Sequence, residues 1–229
     1  MPSPYPFFRE LFQTFLGDYL KLVEPDFAVH LLPEQARFPV LDVPQWTGEE
    51  REALGVVADV PSSAGEAITV LIQIEPEALG PDETSRRLGR YFVGLETRYT
   101  QPVLLSVVYL QGARPGVNLE SASLSRIFDM EVLRIFYTSF GLAECRADSY
   151  LERPEPLAWA LAALMRPVRR SRAEHKLACL RRIAGSGLPE RRRALLATCV
   201  EDWMELRPGD RDEYRSLCAR PQNLEALFP

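Results

Sequence analysis

Nine consecutive residues, Ala67–Glu75 (AITVLIQIE), constrain the fold more than any other stretch of this 229-residue chain. A short apolar, β-branched run of this kind is a strand signal, the strongest in the chain. The turn cluster Pro61-Ser-Ser-Ala-Gly65 precedes it, and Leu54–Val60 (LGVVADV), a second β-branched run, precedes the turn. Two such runs around a turn predict a hairpin. Asp82–Tyr99 then reads as a helix, with acidic groups in its first turn, where they suit the dipole, and Leu88, Tyr91, Phe92 and Leu95 on one face. Pro102–Leu110 (PVLLSVVYL) is a continuous apolar strand, as expected where both faces are buried, and Met130–Phe140 reads as another strand. The alternation of helix and strand predicts a layered α/β core.

Two other stretches frame this core. Phe7–Val23 places Phe8, Leu11, Phe12, Phe15, Leu16, Tyr19 and Leu22 at helical spacing, and Pro25 is expected to end that helix. Residues 33–55 are rich in proline and charge, with a short strand expected at Phe38–Leu41. From Glu155 the pattern turns helical: Pro156–Met165, Arg172–Ala184, Pro189–Leu206 and Asp210–Ala219 are separated by Pro167, Gly185-Ser-Gly187 and Pro208-Gly209. The expected organisation is an α/β core over residues 1–145 and a helical C-terminal region over 146–229.

The N-terminal residues lack the basic segment of a signal peptide, and the longest apolar run, Leu157–Met165, falls far short of a bilayer span. A cytoplasmic protein without a membrane partner is expected. Four widely spaced cysteines form no CxxC or Cys/His pair, so a zinc site is not expected and the thiols read as reduced and inert. The net charge of −5 argues against unspecific coating of nucleic acid, but it is unevenly spread. Residues 1–120 carry 9 basic and 17 acidic groups, whereas residues 121–229 carry 18 and 15. Between Arg166 and Arg193 ten basic side chains, Arg169 and Arg170 among them, face only Glu174 and Glu190. That stretch is either a track for a phosphate backbone or a solvated helical face.

The residues with a chemical reading lie in the hairpin. Asp59 stands near the end of the first run, Glu75 ends the second, and Glu77 follows two residues later. Residues two apart in a strand share a face, so the three carboxylates are expected to converge. Converging carboxylates repel unless a hard divalent cation, Mg²⁺ or Mn²⁺, neutralises them. Such an ion activates water and stabilises charge on a phosphate in transit. The plainer reading makes them solvated residues flanking a turn. Arg86, Arg87 and Arg90, at the start of the following helix, either clamp a phosphate or pair with nearby carboxylates.

Several segments together resemble the Rpn-type recombination-promoting nuclease (transposase) family of the PD-(D/E)XK nuclease superfamily. VVADV contains Asp59 at the position of the family's first acid, and LIQIEPE (Leu71–Glu77) resembles the apolar strand ending in its E-x-Q motif. SRRLGRYF (Ser85–Phe92) resembles the start of its next helix, and QPVLLSVVYLQG (Gln101–Gly112) the strand after it. PEPLAWALAALM, KLACLRRI and RRRALLATCVEDWMEL resemble its helical tail, so the likeness spans roughly residues 7 to 217. It implies a PD-(D/E)XK restriction-endonuclease-like core, a mixed central sheet flanked by helices, with a small helical C-terminal region. It also implies Mg²⁺- or Mn²⁺-dependent cleavage of DNA phosphodiesters in recombination, by a chain that works as a homodimer. Asp59, Glu75 and Glu77 would form the catalytic set, with the ion on Asp59, Glu75 and the main-chain carbonyl of Pro76. Arg87, Arg90, Arg169 and Arg170 would meet the DNA. Glu77 stands where the pattern has Gln or Lys, and Pro76 interrupts the motif. The alternative is a nuclease-fold protein that has lost cleavage and binds nucleic acid or a protein partner.

Overall fold

A computed structural model describes residues 4–39 and 54–220. The chain divides into two compact units, Met1–Gly141 and Leu142–Pro229.

In the first unit, the expected single N-terminal helix is two: α1 (Pro4–Thr14) and α2 (Leu16–Val23). Phe15 between them leaves helical geometry, at φ −119° and ψ 34°. The ladder nevertheless runs on through it, because Phe15 N–H donates to Leu11 O and Tyr19 N–H to Phe15 O. The helical spacing therefore survives the break, and Phe8, Leu11, Phe12, Phe15 and Tyr19 are all buried. Pro25 does not simply terminate α2. It opens the short helix α3 (Pro25–Ala28) from its first position, where a missing N–H costs nothing.

β1 (Leu54–Pro61) and β2 (Ala67–Glu77) form the expected antiparallel hairpin. Gly65, at φ +87°, supplies the left-handed residue of its turn. Gly55 lies where the β1 register shifts, and a Cβ there would come within 2.5 Å of the Ile72 carbonyl oxygen, so only glycine fits. α4 (Pro81–Glu96) crosses over to β3 (Val103–Gln111), which pairs parallel with β2. Of the expected strand at Phe38–Leu41, Phe38 and Pro39 lie in no strand and the rest falls outside the described residues; Arg37 exchanges backbone hydrogen bonds with Asp59.

A strand the sequence did not announce, β4 (Gly116–Ile127), pairs antiparallel with β5 (Met130–Gly141). The five-stranded mixed sheet has the order β1-β2-β3-β5-β4, with β4 at one edge. Leu88, Tyr91 and Leu95 of α4 pack on one face of it, against Val57, Leu71, Leu105, Val107, Tyr109, Ala122 and Ile135. The other face receives the N-terminal helices: the Tyr19 hydroxyl bonds Ser106 on β3, and Thr138 on β5 donates to Glu24. The architecture is thus α/β, a mixed sheet flanked by helices.

The second unit contains α5 (Ala147–Leu151), α6 (Pro156–Leu161) with a 3₁₀ turn at Ala162–Leu164, α7 (Arg172–Ala184), α8 (Glu190–Trp203) and α9 (Pro208–Cys218). The expected helix through Met165 tightens into that 3₁₀ turn and stops in extended geometry at Met165. Ser171 and Glu174 close a capping box at the start of α7. Leu157, Leu161, Leu177, Leu180, Leu196 and Val200 are buried. Among the described residues no helix is long and apolar enough to cross a membrane.

Candidate functional site

The register of the hairpin decides what the acidic residues can do together. Asp59 pairs with Thr69, near the turn, and accepts a hydrogen bond from the Thr69 hydroxyl at 3.2 Å. Glu75 lies six residues farther along β2. At about 3.3 Å per residue this separates the two by roughly 20 Å. Both belong to the sheet face that α4 covers, yet they stand at opposite ends of it. The expected convergence of Asp59 with Glu75 is therefore not found. The cause is elementary: in an antiparallel hairpin the end of the first strand meets the beginning of the second. β1 opens at Leu54 opposite Gln73, so no described residue of β1 faces Glu75.

What does surround Glu75 is a polar cluster beneath α4. Only 2% of Glu75 is exposed. Gln73, fully buried two residues earlier on the same face, donates its Nε2 to Glu75 Oε1. Arg87 reaches down from the second turn of α4 and places Nη1 2.8 Å from the same oxygen, while its Nη2 lies 3.2 Å from Glu83 Oε1. Burial pushes the Glu75 carboxyl up from its ordinary range, against the pull of Gln73 and Arg87. Burial also works against the charge of Arg87, but Glu75, Tyr91 and Glu83 outweigh it and raise its affinity for its proton. Tyr109, across from Glu75 on β3, approaches the Thr84 hydroxyl at 3.5 Å. The Gln73 side-chain oxygen is buried and has no hydrogen-bond partner among the described residues.

Glu77 follows Glu75 on the same face, pairs in register with Gln111 and is exposed. Pro76 between them leaves the β2–β3 register intact. Arg90, one turn beyond Arg87 on α4, is exposed. Among the described residues no group of three or more His, Cys, Asp or Glu is placed to hold a metal ion. Asp59 and Glu75 do not fit a shared Mg²⁺ or Mn²⁺, because one ion cannot bridge that separation. The donor set at Glu75 consists of one carboxylate already engaged by a guanidinium, with Glu77 beyond it.

In the second unit much of the basic stretch already has partners. Arg170 Nη1 lies 2.7 Å from Asp148 Oδ1, and Arg169 Nη1 lies 3.6 Å from Glu152 Oε1. Burial opposes the charge of Asp148, but the backbone N–H groups of Val168 and Arg169, together with Arg170, outweigh it and hold its carboxyl below the usual range. Lys176, buried between α7 and α8, contacts the Glu201 carboxylate at 2.7 Å and donates to the carbonyls of Glu201 and Met204. Arg182 lies over the Trp159 ring, 5.0 Å from its centroid. Cys145, Cys179 and Cys199 are buried free thiols, and burial pushes Cys179 up to about 12.

Neither Gln73 nor Glu83 receives a role at the site from the sequence. The signal for Gln73 was present, since Gln73, Glu75 and Glu77 alternate along an otherwise apolar strand and so must share a face. No protein-family model, curated protein or solved structure matches this chain.

Proposed function

We propose that this chain is a non-catalytic, protein-binding module built on a PD-(D/E)XK-like α/β core, rather than a metal-dependent DNA endonuclease. One observation carries the reading: the carboxylate that would anchor the ion, Glu75, is buried against Gln73 and Arg87, while Asp59 stands at the far end of the hairpin. An arginine 2.8 Å from a carboxylate supplies the positive charge a cation would otherwise supply. Protein is favoured over nucleic acid because Arg170, Lys176 and Arg182 are committed to partners within their own unit. The exposed pairs of Arg166 and Arg169 are weak by nature and do not decide the matter.

Incubating plasmid DNA with the protein and Mg²⁺ or Mn²⁺ tests this directly. No nicking or linearisation above background is expected, from the wild type, Asp59→Ala or Glu75→Gln alike. Cleavage by the wild type that Glu75→Gln abolishes would overturn the reading.

A second reading has its own observation. The Gln73 oxygen, without a partner among the described residues, lies beside Glu75, and Glu77 shares their face. If Arg87 swings away, these three offer oxygen ligands of the kind Mg²⁺ prefers, and cleavage would then be centred on Glu75 and Glu77 without Asp59. Activity lost in Glu77→Ala and retained in Asp59→Ala would favour it.

A further inference from the structure

The β4–β5 hairpin leaves one of its faces exposed, apolar toward both ends and polar at its middle, where Arg134, Ser121 and Ser123 stand. Register and alternation put Val117, Leu119, Ile127, Met130, Val132 and Phe136 on a single face. Phe128, with φ +53°, stands at the tip of the hairpin. All seven are exposed, Leu119 at 77%, Phe136 at 64% and Phe128 at 97%. The opposite face of the hairpin is covered over its middle, where Ala122 and Ile135 pack under α4 and Leu124 lies so close to the helix that a Cβ on Gly89 would be 2.8 Å from it; nearer the tip, Leu133 on that face is 42% exposed. On the open side, cover from the N-terminal helices reaches Thr138, through Glu24.

We infer that this face docks on the same face of a second copy of the chain, related by a twofold axis. The inference names the partner of the protein-binding module proposed above and rests on that reading. Area is the first argument. With about 150–200 Å² per fully exposed side chain, the seven residues present on the order of 800 Å², the share each partner contributes to a stable interface of standard size. A patch of that size exceeds the scattered apolar residues of an ordinary surface.

Charge is the second argument. Residues 116–141 carry Glu120, Asp129 and Glu131 against Arg126 and Arg134. Arg134 pairs with Glu131 within the hairpin, its Nε donating to Glu131 Oε1 at 2.7 Å. By register the face itself bears the charge of Arg134, which Glu131 neutralises, so it does not repel its own copy and offers no concentrated charge to a nucleic acid or an anionic membrane. A twofold contact requires a surface that complements itself, and with apolar groups at both ends of the face, one copy turned end for end on the other brings apolar ends together. The mode of contact follows from the edge of β4. Register shifts at Ser123/Ser125 and Ser125/Arg126 in its pairing with β5 bend and twist the edge strand, which disfavours extension of the sheet strand to strand. The two hairpins therefore meet face to face.

Sedimentation velocity of the full chain over a hundredfold concentration range tests this. The wild type should sediment at twice the chain mass. Leu119→Glu combined with Phe136→Glu should weaken association by at least about 30-fold, the cost of removing interface anchors, with an unchanged far-ultraviolet circular dichroism spectrum. Should that variant misfold, Phe128→Ser together with concentration-dependent amide exchange over Val117–Phe136 provides the same test. A wild type that stays monomeric throughout, or a folded double variant that dimerises as tightly, would overturn the inference. Because Glu75 plays no part in this experiment, the cleavage assay can fail without it, and the reverse.

Discussion

Arg87 and Glu75 hold each other across the gap between α4 and β2, Nη1 to Oε1 at 2.8 Å. The pair places opposite charges where three like charges had been expected to gather around an ion. It also ties the helix that covers one face of the sheet to β2, the strand next to the β1 edge. Packing and the fate of the acidic site are thus one question.

Removing Arg87 should expose that coupling. Arg87→Ala leaves Glu75 buried with Gln73 alone, and the loss should be about 1–3 kcal/mol, tempered because the Arg87 side chain remains 22% exposed. Glu75→Gln introduced on top of Arg87→Ala should recover part of it, since a neutral amide needs no counter-charge. Urea unfolding measures both. An Arg87→Ala protein as stable as the wild type would show the pair to be idle.

The pH dependence of stability carries a sign of its own. The Glu75 carboxyl is raised by burial, so the folded state holds its proton more tightly than the unfolded chain does. Its contribution is fully present below the ordinary carboxylate range, and is lost as pH rises through the folded value. Glu75→Gln should therefore remove a fall in stability with rising pH that the wild type shows just above that range. Denaturant melts at a series of pH values check this; a wild type and variant with parallel profiles would contradict it.

In the helical unit, Lys176 joins two elements at once. Its ammonium meets the Glu201 carboxylate and the carbonyls of Glu201 and Met204, near the C-terminal end of α8, where a cation suits the dipole. Lys176→Met keeps the aliphatic stem and strips the donors, so it should cost about 1–3 kcal/mol. The melting temperature of the variant reads it out.

Gly55 offers a steric test near the same end of the hairpin as Glu75. Gly55→Ala drives a Cβ to 2.5 Å from a backbone oxygen and against Ile74, which neither neighbour can easily vacate. A loss above about 2 kcal/mol is expected on unfolding in urea.

How far the sequence could be read depended on burial. β2 and β3 are covered on both faces, and their unbroken apolar runs announced them. β4 escaped because it is an edge strand whose Ser121, Ser123 and Ser125 give it the look of a loop, while Leu119 and Ile127 face outward. Breaking the N-terminal helix at Phe15 left no trace in the pattern, since the apolar spacing continues across it. The misjudged site had a different origin. Asp59 and Glu75 each stand near a strand end, and that much was legible, but chain reversal at Gly65 sends those ends in opposite directions. Arg87 was recognised as a partner for Glu75 or a phosphate, and helix geometry alone could not choose between them.

Titration with Mn²⁺, followed by melting temperature in the wild type and in Glu75→Gln, is the most direct test of the central claim that Arg87 has taken the place of an ion at Glu75. An ion held only by the folded state must raise the melting temperature as its concentration grows. No rise is expected in either protein. A rise in the wild type that Glu75→Gln abolishes would contradict the account.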